Sequence, residues 1–65
     1  MNQTDEVFDY MQQNGSIDNL RAVRDLNIYR LGARIWDLKH LGVEVVSETK
    51  TNPATGKRWK EYRLA

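Results

Sequence analysis

One amphipathic segment, residues 27–42, constrains the fold of this 65-residue chain more than any other stretch. Its apolar residues recur at steps of three and four, which places them on one face of a helix that turns about 100° per residue. They are Ile28, Leu31, Ile35 and Leu38. The far side carries Tyr29, Arg30, Ala33, Trp36, Asp37 and His40. Because a single apolar face must be buried, the sequence predicts that the rest of the chain folds against it.

The composition excludes several kinds of function. The chain has no cysteine and one histidine, His40, which excludes disulfides, cysteine-ligated metals and a metal cage built from histidines. No serine has a base beside it, so we expect no catalysis, no cofactor and no metal site. No apolar run approaches the roughly 18 residues that span a bilayer, and residues 1–6 do not resemble a signal peptide. These features predict a single domain, residues 1–65, in the cytoplasm and without a membrane partner.

The net charge of +1 hides a strong asymmetry along the chain. Residues 1–20 contain four acidic residues and no lysine or arginine, a charge of −4, whereas residues 21–65 carry all ten basic residues and a charge of +5. Such a dipolar molecule presents a positive surface to a polyanion, or an acidic one to a basic partner.

Two helices are predicted before the opening segment. The first, about residues 5–13, has Thr4 as its N-cap and Gly15 as its C-terminal stop. The second, residues 19–26, has Asp18 as its N-cap.

A tight corner is predicted at Asn27, because asparagine tolerates the positive φ that such a turn needs and that glycine usually supplies. Gly42 is the predicted end of the third helix. Beyond it the spacing of apolar residues changes from the 3.6-residue period of a helix to the two-residue period of a strand. Residues 43–49 and 58–64 are predicted strands around a turn at 51–56, which together form a hairpin.

The alternation of the second strand places Tyr62 and Leu64 on the face that is predicted to join the core. Trp59 falls on the opposite face unless a bulge intervenes. A very short strand at Ile17, with one ladder pair, completes the predicted elements.

These elements come with a set of spaced residues that the chain shares with a known family. In residues 16–42 and 56–64 the matching positions are Ile17, Ala22, Arg30, Leu31, Ala33, Arg34, Ile35, Leu38, Gly42, Gly56, Lys57, Arg58, Trp59, Tyr62, Arg63 and Leu64. With this pattern the chain resembles a small winged helix-turn-helix family that is often encoded by bacteriophages and prophages. Asn27 departs from the pattern, since glycine is usual there. Tyr29 stands where a serine or threonine N-cap is common, and the loss of that cap lowers the stability of the helix by about 1 kcal/mol.

The resemblance implies an α+β fold, a winged helix-turn-helix domain of three helices followed by a two-stranded β-hairpin wing. It also implies sequence-specific binding to double-stranded DNA, with a recognition helix at about residues 29–41 in the major groove and a basic wing at about residues 50–60. The implied roles are a phage or prophage transcriptional regulator (a repressor or a Cro-like switch protein) or an excisionase-like factor. The implied location is the cytoplasm of a bacterial host, at the nucleoid when the protein is bound to DNA.

Three residues at the start of the recognition helix are the predicted base readers. Arg30 has the chemistry to pair with guanine O6 and N7, Ala33 is small enough to contact a thymine methyl group, and Tyr29 can bond a phosphate or a base edge. The alternative for Arg30 is a solvated position in which it pairs with Asp25 or Asp37.

The remaining polar-face residues have mixed predictions. Arg34 lies at the margin of the apolar face, so DNA and an aspartate such as Asp37 are both candidate partners. Trp36 is assigned to the core in preference to a DNA contact. Asp37 is expected to orient an arginine, and His40 to place positive charge at the C-terminal end of the helix.

A second basic cluster surrounds the hairpin turn. It comprises Lys50, Asn52, Lys57, Arg58 and Lys60. Beside a recognition helix, this cluster predicts a wing that meets the sugar–phosphate backbone or the minor groove. The alternative is that the lysines keep the hairpin soluble and prevent strand pairing. Arg21, in the first turn of the second helix, is a further predicted phosphate contact.

Another class of function stays open at the level of sequence. The chain is alternatively an interaction module that binds a host protein through its winged-helix surface or its acidic first helix, which carries Asp5, Glu6 and Asp9. The oligomeric state is open as well. A lone domain of this size makes few base contacts, so self-association on DNA is expected.

Overall fold

The computed structural model describes residues 2–65. Its elements are α1 (Gln3–Asn14), β1 (Ile17–Asp18), α2 (Asn19–Leu26), α3 (Leu31–His40), β2 (Val45–Thr51) and β3 (Arg58–Leu64). The strands form one antiparallel sheet in the order β1-β3-β2. This arrangement confirms the predicted α+β architecture, including the short strand at Ile17, which pairs with Tyr62 of β3.

Helix α1 starts earlier than the sequence predicted. Its N-cap is Asn2, whose side chain accepts a hydrogen bond from the Asp5 N–H at 2.9 Å. The assignment of Thr4 as the cap was therefore wrong, and the Thr4 hydroxyl instead donates to Asp37 of α3 at 3.3 Å. Gly15 ends the helix with a φ of 85°, as expected.

Helix α2 and the corner after it follow from local chemistry. Asp18 caps α2 by accepting a hydrogen bond from the Arg21 N–H at 2.8 Å. Asn27 has a φ of 57°, and the N–H groups of Asn27 and Ile28 donate back to carbonyls of α2 at 3.1 and 3.0 Å. The predicted corner is confirmed, and it closes α2 without a glycine.

Helix α3 is shorter than the predicted residues 29–41. Tyr29 precedes the helix and Arg30 is its N-cap, so the placement of Arg30 in the first helical turn was wrong. The physical reason is the corner at Asn27, after which the chain needs three more residues before helical hydrogen bonding begins. Gly42 follows the helix with a φ of 90°, as expected.

The core lies between the helices and the sheet. Its buried residues are Val7, Met11, Ile17, Ala22, Ile28, Leu31, Ile35 and Leu38. All four residues of the predicted apolar face are among them, although Ile28 reaches the core from the corner and not from α3. Half-buried side chains close the periphery, and they include Tyr62 and Leu64, as predicted.

The hairpin runs without a bulge. Strand β2 begins at Val45 and not at residue 43, and its register with β3 is continuous from Val45 opposite Leu64 to Thr51 opposite Arg58. Trp59 consequently lies on the face opposite to Tyr62, with 40% of its surface exposed. At the tip, the Asn52 N–H donates a hydrogen bond to the Lys57 carbonyl oxygen at 2.8 Å. Gly56 has a φ of 72°, which glycine adopts without strain.

Candidate functional site

The solvent side of α3 is formed by four exposed residues, which we call the outer face. They are Gly32, Trp36, Lys39 and His40. Trp36 is 58% exposed, so its assignment to the core was wrong. The reason is that the buried stripe of α3 is narrow. Trp36 follows Ile35 by about 100° around the helix, beyond the reach of α1 and the sheet.

Trp36 is held in place by its neighbour one turn later. The rings of Trp36 and His40 are stacked, with centroids 3.5 Å apart and an angle of 28° between their planes. His40 Nδ1 also lies 3.0 Å from the Trp36 carbonyl oxygen. The contact with the carbonyl holds the imidazole, and the stack against the imidazole restricts the indole, so the exposed indole surface is preorganised.

The N-terminus of α3 opens to solvent without a side-chain cap. Arg30, the N-cap residue, is exposed and forms no ion pair with Asp25, Asp37 or another carboxylate of residues 2–65. Tyr29 is 73% exposed, and its hydroxyl donates to Asn27 Oδ1 at 2.9 Å. An uncapped helix end carries partial positive charge, and Arg30 adds a full one.

Arg34 and Asp37 lie towards α1 and are partly exposed. Arg34 Nε lies 3.0 Å from Asp37 Oδ2, an ion pair without hydrogen-bond geometry, and its guanidinium donates to Gln3 Oε1 at 3.0 Å. Asp37 in turn accepts from the Thr4 hydroxyl. The expectation that Asp37 orients an arginine is confirmed. Ala33, the other predicted contact here, is half-buried.

Arg21 is held by intramolecular partners. It bonds Asp18 Oδ2 at 3.2 Å and the Ser16 hydroxyl at 2.8 Å, and it lies 3.6 Å from Glu61 Oε2 across the sheet. These contacts join the start of α2 to β3. They leave about a quarter of the side chain exposed.

Arg24, Asp25 and Tyr10 form a compact surface cluster. Arg24 donates two hydrogen bonds to Asp25, at 2.8 and 3.0 Å, and the Tyr10 hydroxyl donates to Asp25 Oδ2 at 2.6 Å. The Arg24 guanidinium, followed by the Tyr10 hydroxyl, lowers the pKa of Asp25 from 3.8 to about 2. The hydrogen bond to Asp25 also raises the pKa of Tyr10.

The wing, residues 50–60, presents most of its cations to solvent. Lys50 is paired with Glu48 at 3.3 Å. Asn52 turns its Oδ1 inward to accept from the Ala54 N–H at 2.9 Å, which stiffens the tip. Three cations of the wing are exposed and form no ion pair within residues 2–65: Lys57, Arg58 and Lys60.

A groove of about 410 Å³ separates the wing from the start of α2. Its apolar surface comes from Leu20 and Trp59, and Lys57 and Arg58 stand on the wing side. The groove therefore combines cations with exposed apolar surface.

Neither a metal centre nor a membrane span is found in the described part of the chain. Residues 2–65 contain no group of three or more histidine or acidic side chains placed to hold an ion. None of the helices in that range has the length and apolar character needed to cross a membrane.

A family model described as a winged helix-turn-helix domain matches residues 2–65. The chain belongs to this family. Comparison with curated proteins and with solved structures gave no match. Membership suggests DNA as the partner, since a winged helix-turn-helix domain is typically a non-enzymatic DNA-binding fold.

In this winged helix-turn-helix domain the ten basic residues divide into two groups. Four have carboxylate partners within residues 2–65: Arg21, Arg24, Arg34 and Lys50. Six have none there: Arg30, Lys39, Lys57, Arg58, Lys60 and Arg63. The second group lies on α3, on its N-terminus and on the hairpin.

Sequence reasoning missed two residues of the outer face, Gly32 and Lys39. Both could have been found from their spacing. Gly32 lies four residues before Trp36 and Lys39 lies three residues after it, so they share its side of the helix. They were overlooked because counting Ile28 as helical rotated the expected apolar face.

Proposed function

We propose that the chain binds double-stranded DNA sequence-specifically, with α3 in the major groove and the wing on the sugar–phosphate backbone. The observation that carries the proposal is the division of the cations. The six cations without a carboxylate partner within residues 2–65 all lie on α3, at its N-terminus or on the hairpin, whereas both arginines of α2 are paired. Only Arg34 of α3 and Lys50 of the hairpin have such partners in the first region. Unpaired cations that are gathered on one part of the surface favour a polyanionic ligand.

Within this proposal the residues take different roles. Arg30 reads guanine, and Tyr29 and Ala33 contact the bases or phosphates next to it. The wing residues Lys57, Arg58 and Lys60 anchor the protein on phosphates, with Lys50 and Asn52 at the margin. Arg21 and Arg34, which already have intramolecular partners, mainly hold α2 and α3 in position.

The proposed biological role is that of a phage or prophage regulator, either a repressor or Cro-like protein or an excisionase-like factor. The resemblance of residues 16–42 and 56–64 to domains encoded by phages supports it. The protein would act at the nucleoid of the bacterial host, and copies would associate on paired sites.

The salt dependence of binding tests this function. Three phosphate contacts, by Lys57, Arg58 and Lys60, give a slope of about −2.7 in a plot of log affinity against log salt concentration, because each contact contributes about −0.9. Lys57→Ala and Arg58→Ala should each reduce the slope by about one unit and weaken all duplexes equally. Arg30→Ala should instead remove about 1–3 kcal/mol of discrimination between duplexes.

The control is Gln12→Ala, an exposed substitution on α1 that should change neither slope nor preference. Absence of duplex binding at low salt would contradict the function. Equal behaviour of the three basic-residue variants would contradict the division into reading and anchoring residues.

A second candidate function rests on the acidic side of the molecule. A depression of about 200 Å³ between α1 and α2 is lined by Glu6, Asp9, Tyr10, Gln13 and Leu26. Its carboxylates and apolar floor suit a basic side chain of a host protein. Under the DNA hypothesis, Glu6→Gln with Asp9→Asn leaves duplex affinity unchanged or raises it. Under the alternative, this double variant abolishes binding to the host protein.

A further inference from the structure

Gly32 occupies a helical position where the fold does not require a glycine. A Cβ added at this residue would have nothing within 4 Å, and its φ is not in the left-handed region. Glycine is a poor helix former, second only to proline. The missing side chain therefore costs helix stability and relieves no contact inside the protein. What it creates is a gap on the outer face.

Trp36 stands one turn from this gap, four residues along the same ridge of α3. It exposes 58% of its surface in a chain that needs apolar side chains for a small core. The stack with His40 holds the indole in one orientation. The outer face thus has the gap at Gly32 and, one turn later, the apolar surface of the fixed Trp36 indole.

The charges around the gap and the indole are positive and therefore complementary to a polyanion. Arg30 precedes Gly32 at the uncapped helix end, and Lys39 follows Trp36 by three residues. The outer face has no acidic residue, and the nearest one on α3, Asp37, is paired with Arg34. An apolar group bordered by cations is suited to a ligand that carries apolar groups among negative charges.

Among the base edges of the major groove, the apolar group is the thymine C5 methyl. We propose that Gly32 and Trp36 together read thymine methyl groups. The gap at Gly32 lets α3 approach the bases, and the Trp36 indole packs on the methyl. The inference rests on the proposed DNA binding and adds a chemical preference to it, distinct from guanine pairing by Arg30.

The test compares duplexes that differ in methyl groups alone. Duplexes are selected from a random pool by the wild-type protein, and each thymine of the selected site is then replaced by uracil. Loss of a contacted methyl should weaken wild-type binding about fourfold. Trp36→Ala should bind both duplexes weakly and with equal affinity, whereas Trp36→Phe should keep part of the difference.

Gly32→Ala gives a second, independent measurement. Filling the gap should raise the melting temperature by about 2–8 °C, because alanine is the better helix former and fits without a clash. The same variant should bind the selected duplex more weakly and lose the methyl dependence. Gln12→Ala on α1 should change neither binding nor its methyl dependence.

Several results would overturn the inference while leaving the proposed function intact. One is a selected site in which no thymine-to-uracil change alters wild-type affinity. Another is a methyl dependence that survives in Trp36→Ala. A third is a protein dimer in sedimentation that Trp36→Ala dissociates without affecting methyl dependence, since a second copy would then cover the outer face. Failure of all duplexes to bind would instead contradict the proposed function itself.

Discussion

At the scale of single residues, the role of each arginine depends on whether a carboxylate lies within reach. Arg24 has Asp25 beside it and Arg34 has Asp37 one turn away, so both are neutralised. Arg30, at a helix start that lacks a carboxylate, is exposed and has no carboxylate partner within residues 2–65. The proposed base contact of Arg30 and the structural roles of Arg24 and Arg34 follow from this difference.

The Asp25 cluster gives a prediction about pH. The pKa of Asp25 is lowered to about 2, so its ion pair stabilises the folded state above pH 3.8 and is lost as the pH falls through about 2. Tyr10→Phe removes the second cause of the lowering, and the pKa of Asp25 should move up towards 3.8 but stay below it, because Arg24 remains.

An NMR titration of the Asp25 carboxyl measures this change. Tyr29→Phe is the matched control, because its hydroxyl bonds Asn27 and not Asp25. An Asp25 titration that is the same in Tyr10→Phe as in the wild type would show that the 2.6 Å hydrogen bond is not formed in solution.

At the scale of elements, α3 is attached to α1 by more than apolar packing. Arg34, Asp37, Thr4 and Gln3 form one polar chain between the two helices. Together with the buried residues Leu31, Ile35 and Leu38, this contact holds one side of α3 against α1 and leaves the outer face on the other.

Arg34→Ala tests the supporting role of this polar chain. Loss of a partly exposed pair costs about 0.5 kcal/mol, so the melting temperature should fall by about 2–4 °C while the salt slope of DNA binding stays unchanged. Lys57→Ala should show the reverse, a reduced slope and an unchanged melting temperature. A slope that falls by about one unit in Arg34→Ala would show that Arg34 contacts a phosphate.

Elements governed by local chemistry could be predicted from sequence. Asp18, Asn27 and Gly42 fix helix ends through their own backbone preferences and hydrogen bonds, and the structure confirms all three. Trp36 was assigned to the core although the helical period placed it on the far side of α3. Whether a tryptophan on that side is covered depends on how far α1 and the sheet extend around α3, which is a tertiary property.

The start of α3 shows the same limit. Ile28 fits the apolar period of the helix, yet it is buried from the corner, since burial alone does not distinguish a helical residue from one in a turn. The N-cap of α1 was missed because Asn2 and Thr4 both have capping side chains. The choice between them depends on the contact of Thr4 with Asp37.

At the scale of the whole molecule, charge is separated along the chain. Residues 1–20 carry −4 and residues 21–65 carry +5. The six cations without a carboxylate partner in residues 2–65 belong to the basic part, and α1 keeps its acidic side. A polyanion should therefore approach α3 and the wing and be repelled by α1.

Amide chemical-shift mapping with a duplex shows which face of the protein contacts DNA. At low salt, we expect the largest changes at Arg30, on the outer face of α3 and along residues 57–60 of the wing. Residues 5–9 of α1 should stay nearly unchanged. Changes confined to α1, or no changes with any duplex, would contradict the proposed binding of DNA by α3 and the wing.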